Sequence, residues 1–134
     1  MDRQPNSDIV RRMWDLYASG RPRDLLEHVD PDVEWHPLVN GTVCRGREEL
    51  GRWASDVQTT WKSVVVVLEG MSEAPEERVV AFGRIVAFDH GGEQDLDSPI
   101  AWVLQFRESR VVHARAFRGR ADAEAWVRAR PERP

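Results

Sequence analysis

The order of the residues predicts an α+β fold, a curved antiparallel sheet wrapped around N-terminal helices, with the open end of the resulting cone forming an internal pocket. Two patterns carry this expectation. Up to about residue 62, apart from one short strand, the apolar residues recur at helical spacing, and from Val64 to Phe117 they gather in four runs rich in β-branched and aromatic residues. The breaks between those runs, Glu73–Glu77, Asp89–Gln94 and Arg107–Arg110, are short enough for tight antiparallel connections.

The first helix is expected over Ser7–Ser19, where Ile9, Val10, Met13, Trp14 and Tyr17 share a face behind a cap at Asn6 or Ser7. Gly20 is placed to end it in the left-handed conformation. Pro22 suits the first turn of a second, short helix carrying Leu25, Leu26 and Val29, which Asp30-Pro31 stops. Val33–Leu38 reads as a short strand whose Pro37 favours an edge or a strand end, and Asn40-Gly41 as a turn. A third helix from about Arg47 to Lys62 aligns Leu50, Trp53, Ala54, Val57 and Trp61. Strands over Val64–Met71, Val79–Phe88, Leu96–Phe106 and Val111–Phe117 follow. Ala121–Ala129 is a closing helix with Trp126 and Val127 as its apolar contacts.

A length of 134 residues is one domain, with an ordered core expected over about 7–127. Hydrophobic residues at 41% and charged residues at 31% are the profile of a globular domain. A net charge of −4 lacks the positive field on which nucleic-acid binders rely. The longest apolar run, Val64–Leu68, is too short to span a bilayer, and the N-terminal residues hold no apolar signal core. The expectation is therefore a cytoplasmic protein with neither nucleic acid nor membrane as partner. Cys44 is the sole cysteine, and His28, His36, His90 and His113 show no metal-ligand spacing, so no disulfide, metal or cofactor is expected.

Several strings, in this order, resemble the SnoaL-like branch of the nuclear-transport-factor-two-like superfamily. They are Leu16–Gly20, Asp30–Pro37, Arg45–Leu50, Ala101–Val103 and Val111–Phe117, and the resemblance spans about Ser7 to Val127. It implies the cone fold and its pocket, whereas the superfamily holds isomerases, cyclases, hydrolases and members without chemistry. In ketosteroid isomerases, a carboxylate base ends the first strand in a string similar to Glu34-Trp35-His36-Pro37; here His36 occupies that place. The place of their oxyanion-hole tyrosine falls on Met13, and that of their late-strand acid on Trp102, or on Ala101 if the register slips by one. SnoaL-type cyclases and limonene epoxide hydrolases carry an aspartate on the final strand, at the place of Ala116. The known acid–base groups are thus absent from the places that the resemblance gives them.

Among the remaining groups, His36 is the candidate proton shuttle, because imidazole titrates near neutral pH. Glu34, two residues back on the same strand face, is placed to orient its ring. Val112, Ala114, Ala116 and Arg118 share one parity of the last strand; if that parity faces inward, Arg118 lies near the mouth and can hold an oxyanion. Trp14, Tyr17 and Trp102 can frame a flat ligand. Val80, Phe82, Val86 and Phe88 make the sheet's second face apolar, which predicts a homodimer through the outer face.

Three functional readings remain open at this level. One is an isomerase, cyclase or hydrolase that uses His36 on a hydrophobic carbonyl or polyketide-like ligand. The second is a non-catalytic protein that binds a small hydrophobic molecule. The third is a dimerisation module whose pocket is filled by its own side chains.

Overall fold

The computed structural model describes residues 5–18, 22–38 and 42–129. Helix α1 (Asn6–Ala18) buries Ile9, Val10 and Met13, as its helical spacing requires. A short 3₁₀-helix (Pro22–His28) then leads directly into strand β1 (Val29–His36). The short helix therefore ends at His28, before the dipeptide expected to stop it, and Val29 opens the strand. Asp30-Pro31 sits inside β1. A proline is tolerated there because the ladder to the neighbouring strand pairs Val29 and then resumes only at Glu34, so Pro31 owes it no N–H. Pro37 follows the strand's last residue. Gly20 and the Asn40-Gly41 turn lie outside the described residues.

The two-residue strand β2 (Cys44–Arg45), which no pattern in the sequence marked, pairs with β1 and runs into helix α2 (Gly46–Thr60). At that junction the Arg45 N–H donates to Glu49 Oε1 at 2.8 Å. The Arg47 guanidinium donates through Nε and Nη2 to the Val29 carbonyl oxygen at 3.0 and 2.8 Å, tying α2 to the start of β1. Four long strands form the meander: β3 (Ser63–Ala74), β4 (Arg78–Phe88), β5 (Gln94–Arg107) and β6 (Arg110–Phe117). Helix α3 (Arg120–Ala129) closes the described chain.

The strand order is β2-β1-β6-β5-β4-β3. The sheet is curved and mixed rather than wholly antiparallel, because β1 lies parallel to β6 while every other pair is antiparallel. Its inner face carries Val79, Ala81, Ile85, Trp102, Leu104 and Ala114 against α1, α2 and the 3₁₀-helix, forming the main core. A second, smaller core lies on the outer face, where Val80, Ala101 and Val103 pack with Ala123, Trp126 and Val127 of α3. The chain thus covers part of the outer face with its own helix. The Arg120 guanidinium lies 4.2 Å from the centre of the Phe82 ring and so holds the start of α3 on that face. The part left uncovered is on β3, where Val65 and Val67 are 42% and 49% exposed.

Two of the sheet's four register shifts bear on the core. Opposite β4, strand β3 has a bulge at Glu69, between the pairs Leu68–Gly83 and Gly70–Phe82. The strands approach so closely there that a β-carbon on Gly83 would stand 1.8 Å from the Val67 carbonyl oxygen. Between β5 and β6 a second shift, at Val112, lets both Val111 and Ala114 face inward. Replacing Gly83 with alanine forces backbone apart and is expected to lower unfolding free energy by at least about 2 kcal/mol, read as a lower urea midpoint.

Candidate functional site

The inner face and the helices enclose a cavity at the open end of the cone. Helix α1 contributes Met13, Trp14 and Tyr17, and α2 contributes Leu50, Trp53 and Val57. Trp35 of β1 and Ile85, Trp102 and Ala116 of the meander complete most of the wall. Trp14 and Trp102 meet edge to face, with ring centres 4.8 Å apart and planes at 75°. Trp102 lies directly across the ladder from Ala116, which also lines the cavity. About 70 Å³ remains in which the centre of a water-sized sphere can move. That is more than a single water needs and suits a small ring system.

Every described side chain in the wall is apolar or aromatic, and Tyr17 is the one titratable group among them. Burial raises the Tyr17 phenol to about 12, since the phenolate would lose its hydration. The indole Nε1 of Trp35 is buried and has no hydrogen-bond partner among the described residues. Of the residues expected to bind a ligand, Trp14, Tyr17 and Trp102 therefore come together at the cavity. The open question of register is answered as well: Trp102 pairs with Ala116 facing inward, while Ala101 pairs with Phe117 facing outward.

The other candidates lie elsewhere. Val33 and Trp35 are the buried residues of β1, so Glu34 and His36, which alternate with them, project from the outer face. His36 does not reach the cavity, whose wall takes Trp35, Pro37 and Leu38 from this segment. The strand parity thus places His36, the candidate shuttle, on the face opposite the cavity. Arg118 is exposed, one residue past the end of β6, whose last ladder pair is Ala101–Phe117. It therefore stands outside the cavity wall.

On the outer face, Glu34 does orient His36, with Oε2 and the imidazole Nε2 2.6 Å apart. An ionised carboxylate only accepts, so Nε2 carries the proton in this contact. Arg45 Nη1 donates to the other oxygen, Oε1, at 2.8 Å. The hydrogen bond from His36 lowers the Glu34 carboxyl below its usual range; Arg45 acts in the same direction and burial opposes it. His113 of β6 completes this group. Its Nε2 is 3.8 Å from Glu34 Oε2, its ring centre is 5.0 Å from that of His36, and its ring stacks on Trp126. Cys44 is buried beside the same strands, and burial raises its thiol, which disfavours the reactive thiolate.

Trp35 and Trp53 in the wall, and His113 beside Glu34, were not among the site residues expected from the sequence. Alternation along Val33–His36 was a usable signal for Trp35, since the apolar residues of a half-buried strand face the core. Nothing local signals His113, because its neighbours come from the distant pairing of β1 with β6.

A family model for the SnoaL-like domain matches residues 10–114, and the chain belongs to that family. Among solved structures, Bal32a from a soil-derived mobile gene cassette is 25% identical, with a TM-score of 0.76 over 84% of this chain and 88% of its own. TerC, co-crystallised with polyporic acid, is 17% identical, with a TM-score of 0.75 over 93% and 99%. A protein from Jannaschia sp. CCS1 assigned as a SnoaL-like polyketide cyclase is 20% identical, with a TM-score of 0.69 over 100% and 99%. The last two likenesses show the fold alone. No curated protein matches the chain.

No described helix is long and apolar enough to cross a membrane. The raised Tyr17 phenol has a measurable consequence, because Tyr17 is the only tyrosine. Its ordinary value of 10.0 applies to the unfolded chain, and the folded value is about 12, so the native state holds the proton more tightly. Its contribution to stability is complete below pH 10 and is lost as pH rises from about 10 to about 12. Ultraviolet titration of the folded protein is expected to show tyrosinate only near pH 12, against a denatured control that titrates near 10.

Proposed function

We propose that this protein binds a hydrophobic small molecule in its cavity, and that binding without acid–base chemistry is the cavity's role. The observation that carries this reading is the wall itself: apolar and aromatic throughout the described residues, with Tyr17 as the sole titratable group and its phenol too weakly acidic to move protons near neutrality. Trp35 adds a further requirement. An unpartnered buried N–H costs about 1–3 kcal/mol, so we take a small turn of the Trp35 ring to present it to a carbonyl or ether oxygen of the ligand, which favours such a ligand over a pure hydrocarbon. Family membership supports a small-molecule role, and TerC, a protein of this fold, was co-crystallised with polyporic acid. The alternative, an isomerase, cyclase or hydrolase with His36 as shuttle, needs that imidazole within reach of the ligand. The intervening sheet counts against it.

Thermal unfolding against a panel of aromatic ketones, quinones and their hydrocarbon counterparts tests the proposal. A ligand present at 100 times its dissociation constant adds about 2.7 kcal/mol of stability. Trp35→Phe is expected to weaken the ketones by roughly fivefold to tenfold and leave the hydrocarbons unchanged. His36→Ala is expected to leave binding of both classes intact. Turnover of a bound compound that disappears in His36→Ala would instead establish the enzyme reading.

We also infer that a second copy of the chain covers the exposed strip of β3. Val65 and Val67 continue outward from Val86 on the adjacent strand, and a flat apolar strip can face itself across a two-fold axis. Light scattering is expected to report twice the 15.4 kDa chain mass, falling to the chain mass in a Val65→Glu, Val67→Glu variant. A wild-type monomer would refute this.

A further inference from the structure

We propose that Glu34, His36 and His113 form a binding site for a divalent transition-metal ion, with zinc the best match, on the outer face of the sheet. One donor atom from each side chain lies within 4.8 Å of the other two. Two imidazoles and one carboxylate are a recurrent zinc donor set that leaves a fourth position open. The strands bring them together through register. Glu34 and His113 are direct partners across the parallel β1–β6 pair, and His36 lies one pleat further along β1 on the same face.

The distances bracket those a metal would impose. Zinc bonds of about 2.0–2.1 Å in a tetrahedron place neighbouring donor atoms about 3.3 Å apart. Here His36 Nε2 stands 2.6 Å and His113 Nε2 3.8 Å from Glu34 Oε2. Rotation of the Glu34 carboxylate away from His36 and toward His113 evens these two spacings, and a swing of the imidazole rings must close the rest of the 4.8 Å within which the three donors lie. The ion then replaces the proton that now joins Glu34 to His36. Access is open, since the three side chains are 18%, 23% and 36% exposed for His36, His113 and Glu34.

Two guanidinium groups set the affinity. Arg45 engages Glu34 Oε1, leaving Oε2 as the donor, and competes for the carboxylate's charge. Arg115, the register partner of His36, lies over the Trp126 ring at 5.6 Å and adds positive charge nearby. With one carboxylate against a doubly charged ion and these neighbours, the fourth position favours an anion or hydroxide over a neutral ligand.

The test uses the full chain without an affinity tag. Zinc binding is followed by calorimetry, and cobalt(II) by its visible ligand-field absorption. One ion per chain is expected, with tetrahedral cobalt absorption and a raised melting temperature. His113→Gln and Glu34→Gln, each checked for native fold by circular dichroism, are expected to weaken binding by at least about tenfold. Arg45→Ala, at a side chain 69% exposed, removes the competing cation and is expected to tighten binding severalfold. Absence of saturable binding in both the wild type and Arg45→Ala overturns the proposal. So does binding that survives unchanged in His113→Gln and Glu34→Gln, which would place the ion elsewhere.

Discussion

Trp35 and Ala114 face each other across a parallel seam between β1 and β6, and that register governs the rest of the molecule. It seats the first strand inside the sheet, so Trp35 points to the cavity and its neighbours Glu34 and His36 to the outer face. A shift of one residue would exchange the two sets. The imidazole would then enter the cone and the indole would be left outside. Burial of Val33 and Trp35 decides between these arrangements, since exposing a tryptophan and burying a carboxylate would both be costly.

Two chemically distinct surfaces follow. Inside, the wall offers dispersion and aromatic edges, suited to holding an uncharged ring. Outside, within a single strand's thickness, a carboxylate and two imidazoles meet among guanidinium groups. The sheet separates the carboxylate and the two imidazoles from the apolar cavity.

The helices and the four-strand meander were legible in the sequence because each is a local pattern: a 3.6-residue recurrence in α1 and α2, and β-branched runs punctuated by turn residues from Val64 onward. The two hairpin tips where Glu76, Glu77, Glu108 and Ser109 take positive φ also fall in the breaks that the sequence marks. Strand β2 was not legible, since two residues carry no periodicity. Nor was the parallel pairing of β1, which joins segments far apart in the chain. For the site, Trp14 and Tyr17 followed from helical periodicity, whereas the choice of Trp102 over Ala101 needed the register of β5 against β6. His36 was drawn inward by resemblance to enzymes whose catalytic acid occupies its place. The plain alternation of Val33, Glu34, Trp35 and His36 pointed outward, and the structure follows the alternation.

The seam between β1 and β6 also orders the events of folding. Strands β3 to β6 can zip together hairpin by hairpin through contacts between near neighbours, each closing a short loop. Strand β1 has no place to dock until β6 exists, and its docking must close most of the chain into one long loop. The meander is therefore the early-forming part, and β1 arrives last with the short helix and α2 that are tied to it. During synthesis the N-terminal segments emerge first yet wait for the sheet. Until the last strand is released, the aromatic residues destined for the cavity remain uncovered, and a nascent chain in that state presents them to any chaperone within reach.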